Sequence, residues 1–169
     1  MTTYKYHYRR YNEFDVLKVN LPTLATVLFF GRHVLGLFII GMALRGGRSG
    51  STDSGDAFSG LFEPIYMLSD IPALLLLIAV LARHPKSGKV VRYIWRAGPY
   101  LLLLSAGLYF GLLVDQMGLA LSTYGWAVWL SMAFTVAGLV YVFAAPYARD
   151  LFQQFPAPES DNGKDAAKG

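Results

Sequence analysis

The chain has 169 residues, of which 54% are hydrophobic and only 15% charged, with a formal net charge of +4 and no cysteine. Ordinary soluble domains carry about 25% charged residues, and here the apolar residues fall in long runs separated by short polar stretches. The length bounds the chain to one domain. The lack of cysteine excludes disulfides, thiol catalysis and cysteine-based metal sites, and the positive balance fits anionic lipid rather than nucleic acid.

A bilayer core about 30 Å thick takes roughly 20 apolar residues as a helix. By that measure the sequence predicts an all-α membrane protein, a four-transmembrane-helix bundle with spans of about 21–44, 59–82, 97–119 and 125–147. Residues 1–20 form a juxtamembrane segment in which Tyr4, Tyr6, Tyr8 and Tyr11 alternate with Lys5, His7, Arg9 and Arg10. That pattern suits a segment lying on the membrane surface or docking a partner. The first run starts too late and runs too long for a signal-peptide core, and Pro22 suits its first turn. Residues 45–58 are a Gly/Ser-rich loop. Pro72 lies inside the second run and predicts a kink there or a break near Asp70. Residues 83–96 are a basic loop, Pro99 sits in the first turn of the third run, and 121–124 make a tight turn. Residues 148–169 are a tail, expected to be disordered from about 156.

Lys and Arg set the orientation. Lys5, Arg9, Arg10 and Lys18, then Arg83, Lys86, Lys89, Arg92 and Arg96, then Arg149, Lys164 and Lys168 place twelve on one side. Only Arg45 and Arg48 stand on the other, so both termini are expected in the cytoplasm. Tyr93 and Trp95 would mark the cytoplasmic interface, and Trp126 and Trp129 the opposite one.

Arg32 and His33 lie within the first span, where a charge costs about 2.5–3.5 kcal/mol and must face protein or water. Asp70, in the second span, is the expected ion-pair partner of Arg32. Glu63 is seven residues before it, on the same helix face. These four residues are either a buried lock between helices or a polar path. Alternatively, Ser69 or Asp70 caps a helix restarting at Ile71. Asp115 and Gln116 read as solvated groups near the outer end of the third span. Gly107 and Gly111 form a small-xxx-small motif that permits close helix packing. Arg83, Lys86, Lys89, Arg92 and Arg96 hold their loop in the cytoplasm and offer a surface to anionic lipid head groups. No metal-ligand spacing, phosphate loop or nucleophile motif is present, so neither catalysis nor a cofactor is expected.

The stretch from Tyr11 to Pro22, the run Leu28-Phe-Phe-Gly-Arg-His33 and the closing Tyr147-Ala-Arg-Asp-Leu-Phe-Gln-Gln-Phe-Pro156 resemble the YfeZ-like bacterial inner-membrane proteins, a family of unknown function. The resemblance implies a small multi-span protein of the Gram-negative inner membrane and supplies no activity. It also implies that Leu17-Lys18 through Pro22, Arg32-His33 and Arg149-Asp150 are family features. The expected role is an accessory or scaffold protein that packs against a larger membrane partner or itself. The alternative is a small transporter or channel using Arg32, His33 and Asp70.

Overall fold

In a computed structural model, residues 5–45, 64–118 and 125–156 are described. They form seven α-helices: α1 (Leu21–Phe30), α2 (Arg32–Arg45), α3 (Met67–Leu81), α4 (Lys89–Arg96), α5 (Gly98–Met117), α6 (Trp126–Ala144) and α7 (Pro146–Gln153). Short 3-10 turns occupy Tyr8–Arg10 and Pro64–Tyr66, and no strand is present among the described residues beyond one bridge between Tyr11 and Leu17. Glu63, the loop at 45–58 beyond Arg45, the turn at 121–124 and the tail beyond Pro156 lie outside the described residues.

At 1.5 Å per residue, the 20 residues of α5 and the 19 of α6 extend about 30 and 28 Å, a bilayer's thickness. These two helices are long and apolar enough to cross a membrane. The first expected span is not one rod. It is divided at Gly31 into α1 and α2, which bend by 80°. Taken together the bent pair makes a third candidate. The apolar helix α3 has 15 residues and is shorter, about 22 Å.

The break therefore falls in the first apolar run, whereas the second was expected to carry it. Helix α3 begins at Met67 and passes through Pro72, with Asp70 in its first turn, so it does not restart at Ile71. Asn20 caps α1 by accepting from the Thr23 N–H at 3.1 Å. It also donates to the Tyr141 hydroxyl on α6 at 3.0 Å, which fixes the start of α1 against α6.

Helix α3 packs on α1, α2, α4 and α5 and forms the centre. The core around it includes Leu17, Val27, Phe30, Leu76, Trp95, Leu102 and Leu151. Gly98 opens α5 where a Cβ would lie 2.5 Å from the Phe152 ring, so glycine permits the close approach of α5 and α7.

Two elements had no expected helix. The basic stretch contains α4, and the fourth run ends earlier than expected because Ala145 is extended before Pro146, which starts α7. Residues 5–20 fold onto these helices. Leu17 is fully buried, so this segment docks on its own chain. The Lys5 ammonium and Tyr6 hydroxyl both meet the Asp150 carboxylate at 2.7 Å. Tyr147 donates to the Lys18 carbonyl at 2.7 Å.

Arg83 joins the three segments at this end. Its guanidinium donates to the Leu17 carbonyl at 2.6 Å and to the Gln154 carbonyl at 2.9 Å, and it lies 4.4 Å from the Trp95 ring. Burial lowers its pKa to about 10. Trp95 was expected at the interface but is fully buried, and its indole N–H donates to the carbonyls of Leu151 and Gln154.

Candidate functional site at the helix break

Starting a helix at Arg32 leaves its first N–H groups without partners in the helix. They have no nearby cap, because the preceding residues are Phe29, Phe30 and Gly31. Asp70 on α3 supplies the acceptor. Its Oδ2 receives the His33 N–H at 2.7 Å and the Val34 N–H at 3.0 Å. A carboxylate in this position also meets the positive end of the α2 dipole. Its Oδ1 receives Nδ1 of His33 at 2.8 Å. Asp70 is fully buried and His33 is 4% exposed. The Ser69 hydroxyl donates to the Tyr66 carbonyl at 2.6 Å and lies 3.4 Å from Oδ1, and Ser105 on α5 donates to the Ser69 carbonyl at 2.5 Å.

The partner of Asp70 is thus His33 and not Arg32. Arg32 points to the other side of the break. Its guanidinium donates to the Phe29 carbonyl at 3.1 Å and to the Ser131 hydroxyl on α6 at 2.8 Å. The rings of Phe29 and Tyr109 lie 4.4 and 4.5 Å from it. Tyr109 donates to the same Ser131 oxygen at 3.0 Å and stacks on His33 at a centroid distance of 5.9 Å. Among the described residues no carboxylate forms an ion pair with Arg32.

A cavity of about 600 Å³ opens beside these groups. Arg32, His33, Tyr66, Tyr109 and Ser131 contribute its polar wall. The rest is apolar, with Leu28, Ile39, Leu113, Val128 and Phe134 among its lining residues. With Asp70 accepting from Nδ1, the other ring nitrogen, Nε2, is the one left to meet a ligand. Among the described residues it has no hydrogen-bond partner.

Other expected site residues do not join this cluster. A Cβ added at Gly107 or Gly111 meets nothing within 4 Å, so their motif does not pack α5 against another described helix. The five basic residues of 83–96 divide. Arg83 is held by carbonyls, and Arg92 donates to the Pro85 carbonyl at 3.0 Å beside the Phe155 ring. Lys86, Lys89 and Arg96 are exposed. Asp115 and Gln116 are exposed as well. No group of three or more potential metal ligands occurs among the described residues.

Sequence reasoning missed Tyr109, Ser105 and Ser131, and named Ser69 only as a candidate helix cap. One signal was present for the α5 pair. Leu102, Ala106, Tyr109 and Leu113 repeat every three or four residues, Ser105 lies three after Leu102 and four before Tyr109, and all five are buried, so two polar residues lay on the stripe that faces the core.

Fold and site define an all-helical protein with two, or up to three, helices able to cross a membrane, and a His–Asp pair buried at a helix break. The chain belongs to the family described as protein of unknown function DUF2919, whose model matches residues 6–154. No curated protein and no solved structure matches it.

Proposed function

We propose that the chain is a multi-span protein of the bacterial inner membrane, of the YfeZ-like kind, that acts as an accessory or scaffold subunit without catalytic activity. In this reading four segments cross the bilayer. The bent pair α1–α2 forms the first crossing, α3 with the residues before it the second, and α5 and α6 the last two. Both termini are cytoplasmic in this reading, which the Lys/Arg distribution supports, and Lys86, Lys89 and Arg96 face anionic lipid.

The observation that carries the scaffold role is where the buried carboxylate is used. Asp70 joins α3 to α2 and is already engaged by His33 and Val34. It therefore acts as a lock between helices. Meanwhile Leu103, Leu104, Val114, Val136, Val140 and Phe143 are exposed on α5 and α6. Gly107 and Gly111 lie open on α5 beside them, a surface suited to a second copy or a larger membrane protein. Native mass spectrometry of the protein released in lipid nanodiscs tests this. A defined complex, weakened by Gly107→Leu with Gly111→Leu, is expected. A monomer with no companion in native membranes rules it out.

One observation favours the second reading, a small transporter or channel. A polar-walled cavity lies at a broken helix, the kind of place where transporters bind solutes. Flux in reconstituted vesicles that Asp70→Asn abolishes, with folding intact, would decide for it.

A further inference from the structure

The cavity at the helix break combines features that together specify a ligand. Its walls are largely apolar over a volume of about 600 Å³, within the range that holds a small molecule of drug size. At one side stands the guanidinium of Arg32. Two of its contacts are hydrogen bonds to the Phe29 carbonyl and the Ser131 hydroxyl, both neutral acceptors. Among the described residues no carboxylate forms an ion pair with it; Asp70, bound to His33, acts on it only at a distance. A cation in an apolar wall is costly unless an anion meets it. His33, 4% exposed, lines the same cavity, with Asp70 behind its Nδ1. Its Nε2 either accepts a proton from a ligand or, when the ring is charged, donates one to it.

We infer that this cavity is a binding site for a single-chain amphiphile with a carboxylate head. The head lies between the Arg32 guanidinium and Nε2 of His33, and the chain lies along Leu28, Leu113, Val128 and Phe134. The planar fork of Arg32 matches a carboxylate in geometry and charge. The Phe29 and Tyr109 rings on the guanidinium hold that fork in place. Asp70 acts on the ligand only through His33, as a positioning residue. This inference concerns the interior of the chain and does not depend on whether the α5–α6 surface docks a partner.

The test is a binding titration of the full-length protein in nanodiscs with palmitic acid labelled with carbon-13 at the carboxyl, followed by NMR of that carbon. Saturable one-to-one binding is expected, with a shift of the carboxyl resonance. Hexadecanol, with the same chain and no charge, should bind at least tenfold more weakly. Arg32→Gln should weaken palmitate at least tenfold and leave hexadecanol unchanged. Ala127→Phe, which adds bulk to the cavity wall and leaves Arg32 and His33 in the sequence, should abolish binding of both and serves if Arg32→Gln fails to fold. Equal affinity for palmitate and hexadecanol overturns the inference, as does palmitate binding that survives Ala127→Phe. Absence of saturable binding to the folded protein also overturns it. Hexadecyl phosphate binding more tightly than palmitate overturns the carboxylate assignment.

Discussion

Nδ1 of His33 and Oδ1 of Asp70 lie 2.8 Å apart, with 5% and 1% of the two side chains exposed. The same carboxylate caps α2 through the His33 and Val34 N–H groups. One residue on α3 thus closes both a buried His–Asp contact and a helix terminus. Removing it leaves a buried imidazole and the His33 and Val34 N–H groups without their acceptor, and a buried polar group left unsatisfied costs about 1–3 kcal/mol.

A double-mutant cycle separates the two candidate partners of Asp70. Asp70→Ala with His33→Ala should show a coupling of about 1–3 kcal/mol, the range for residues in direct contact. Asp70→Ala with Arg32→Ala should fall below about 1 kcal/mol. Reversible unfolding in mixed micelles provides the measurement. Stronger coupling to Arg32 than to His33 would refute the geometry described above.

Arg83 offers a second measurement, because its charge and its geometry make different predictions. Arg83→Lys keeps the positive charge but replaces the fork that reaches the Leu17 and Gln154 carbonyls together. A loss on the order of 2 kcal/mol is expected, the scale of hydrogen bonds from a charged donor. The same substitution at exposed Lys89 or Arg96, exchanging Lys and Arg, should change stability little. Thermal unfolding followed by tryptophan fluorescence, with Trp126 and Trp129 replaced by Phe so that Trp95 alone emits, reports on the junction directly, since that indole packs on the Arg83 guanidinium.

The clasp of Lys5 and Tyr6 on Asp150 should respond to pH in a defined sense. Hydrogen bonds from Lys5 and Tyr6 hold the Asp150 carboxyl below its ordinary value. Its contribution is therefore full above the ordinary carboxylate pKa and is lost as pH falls through the lowered one. The hydrogen bond to Asp150 raises the Lys5 pKa, so the Lys5 contribution is full below the ordinary lysine value and is lost as pH rises through the raised one. The clasp is intact at neutral pH on both counts. Being exposed, it should govern the local order of residues 5–10 and not global stability. Amide protection in that segment, taken relative to the intrinsic exchange rate at each pH, should fall in acid for the native chain, whereas Asp150→Asn should already show low protection at neutral pH.

How far the sequence reveals this arrangement depends on whether the cause is local. Helices α5 and α6 were legible within one to three residues, because each is a continuous apolar run with its own start signal, Pro99 in the first and Gly125 before the second. The break at Gly31 was not legible. Its cap is Asp70, which stands 37 residues away in sequence from His33. Asp70 and His33 were each identified as buried polar groups, but the choice between His33 and Arg32 turns on which side of an 80° bend each faces. Helices α4 and α7 have eight residues each, too short to stand without tertiary packing. Charge sign alone does not separate Arg83, turned inward to carbonyls, from Lys86, Lys89 and Arg96 on the surface.

The proposed crossing pattern makes a sharper claim than the helices by themselves, and the absence of native cysteine makes it accessible to labelling. Single cysteines introduced as Ser51→Cys, Ser87→Cys, Ser122→Cys and Ser160→Cys mark the successive loops and the tail. With four crossings and both ends inside, a membrane-impermeant maleimide added outside intact cells should label the positions at 51 and 122. Those at 87 and 160 should react only after the membrane is opened. A different result follows if α1 and α2, bent by 80°, enter and leave on one side as a re-entrant pair. Position 51 would then share its side with residues 5–20, and external reagent would not reach it. Protection of position 51 with labelling of 122 would therefore reduce the number of crossings and turn the Asp70 cap into the stabiliser of a re-entrant helix end.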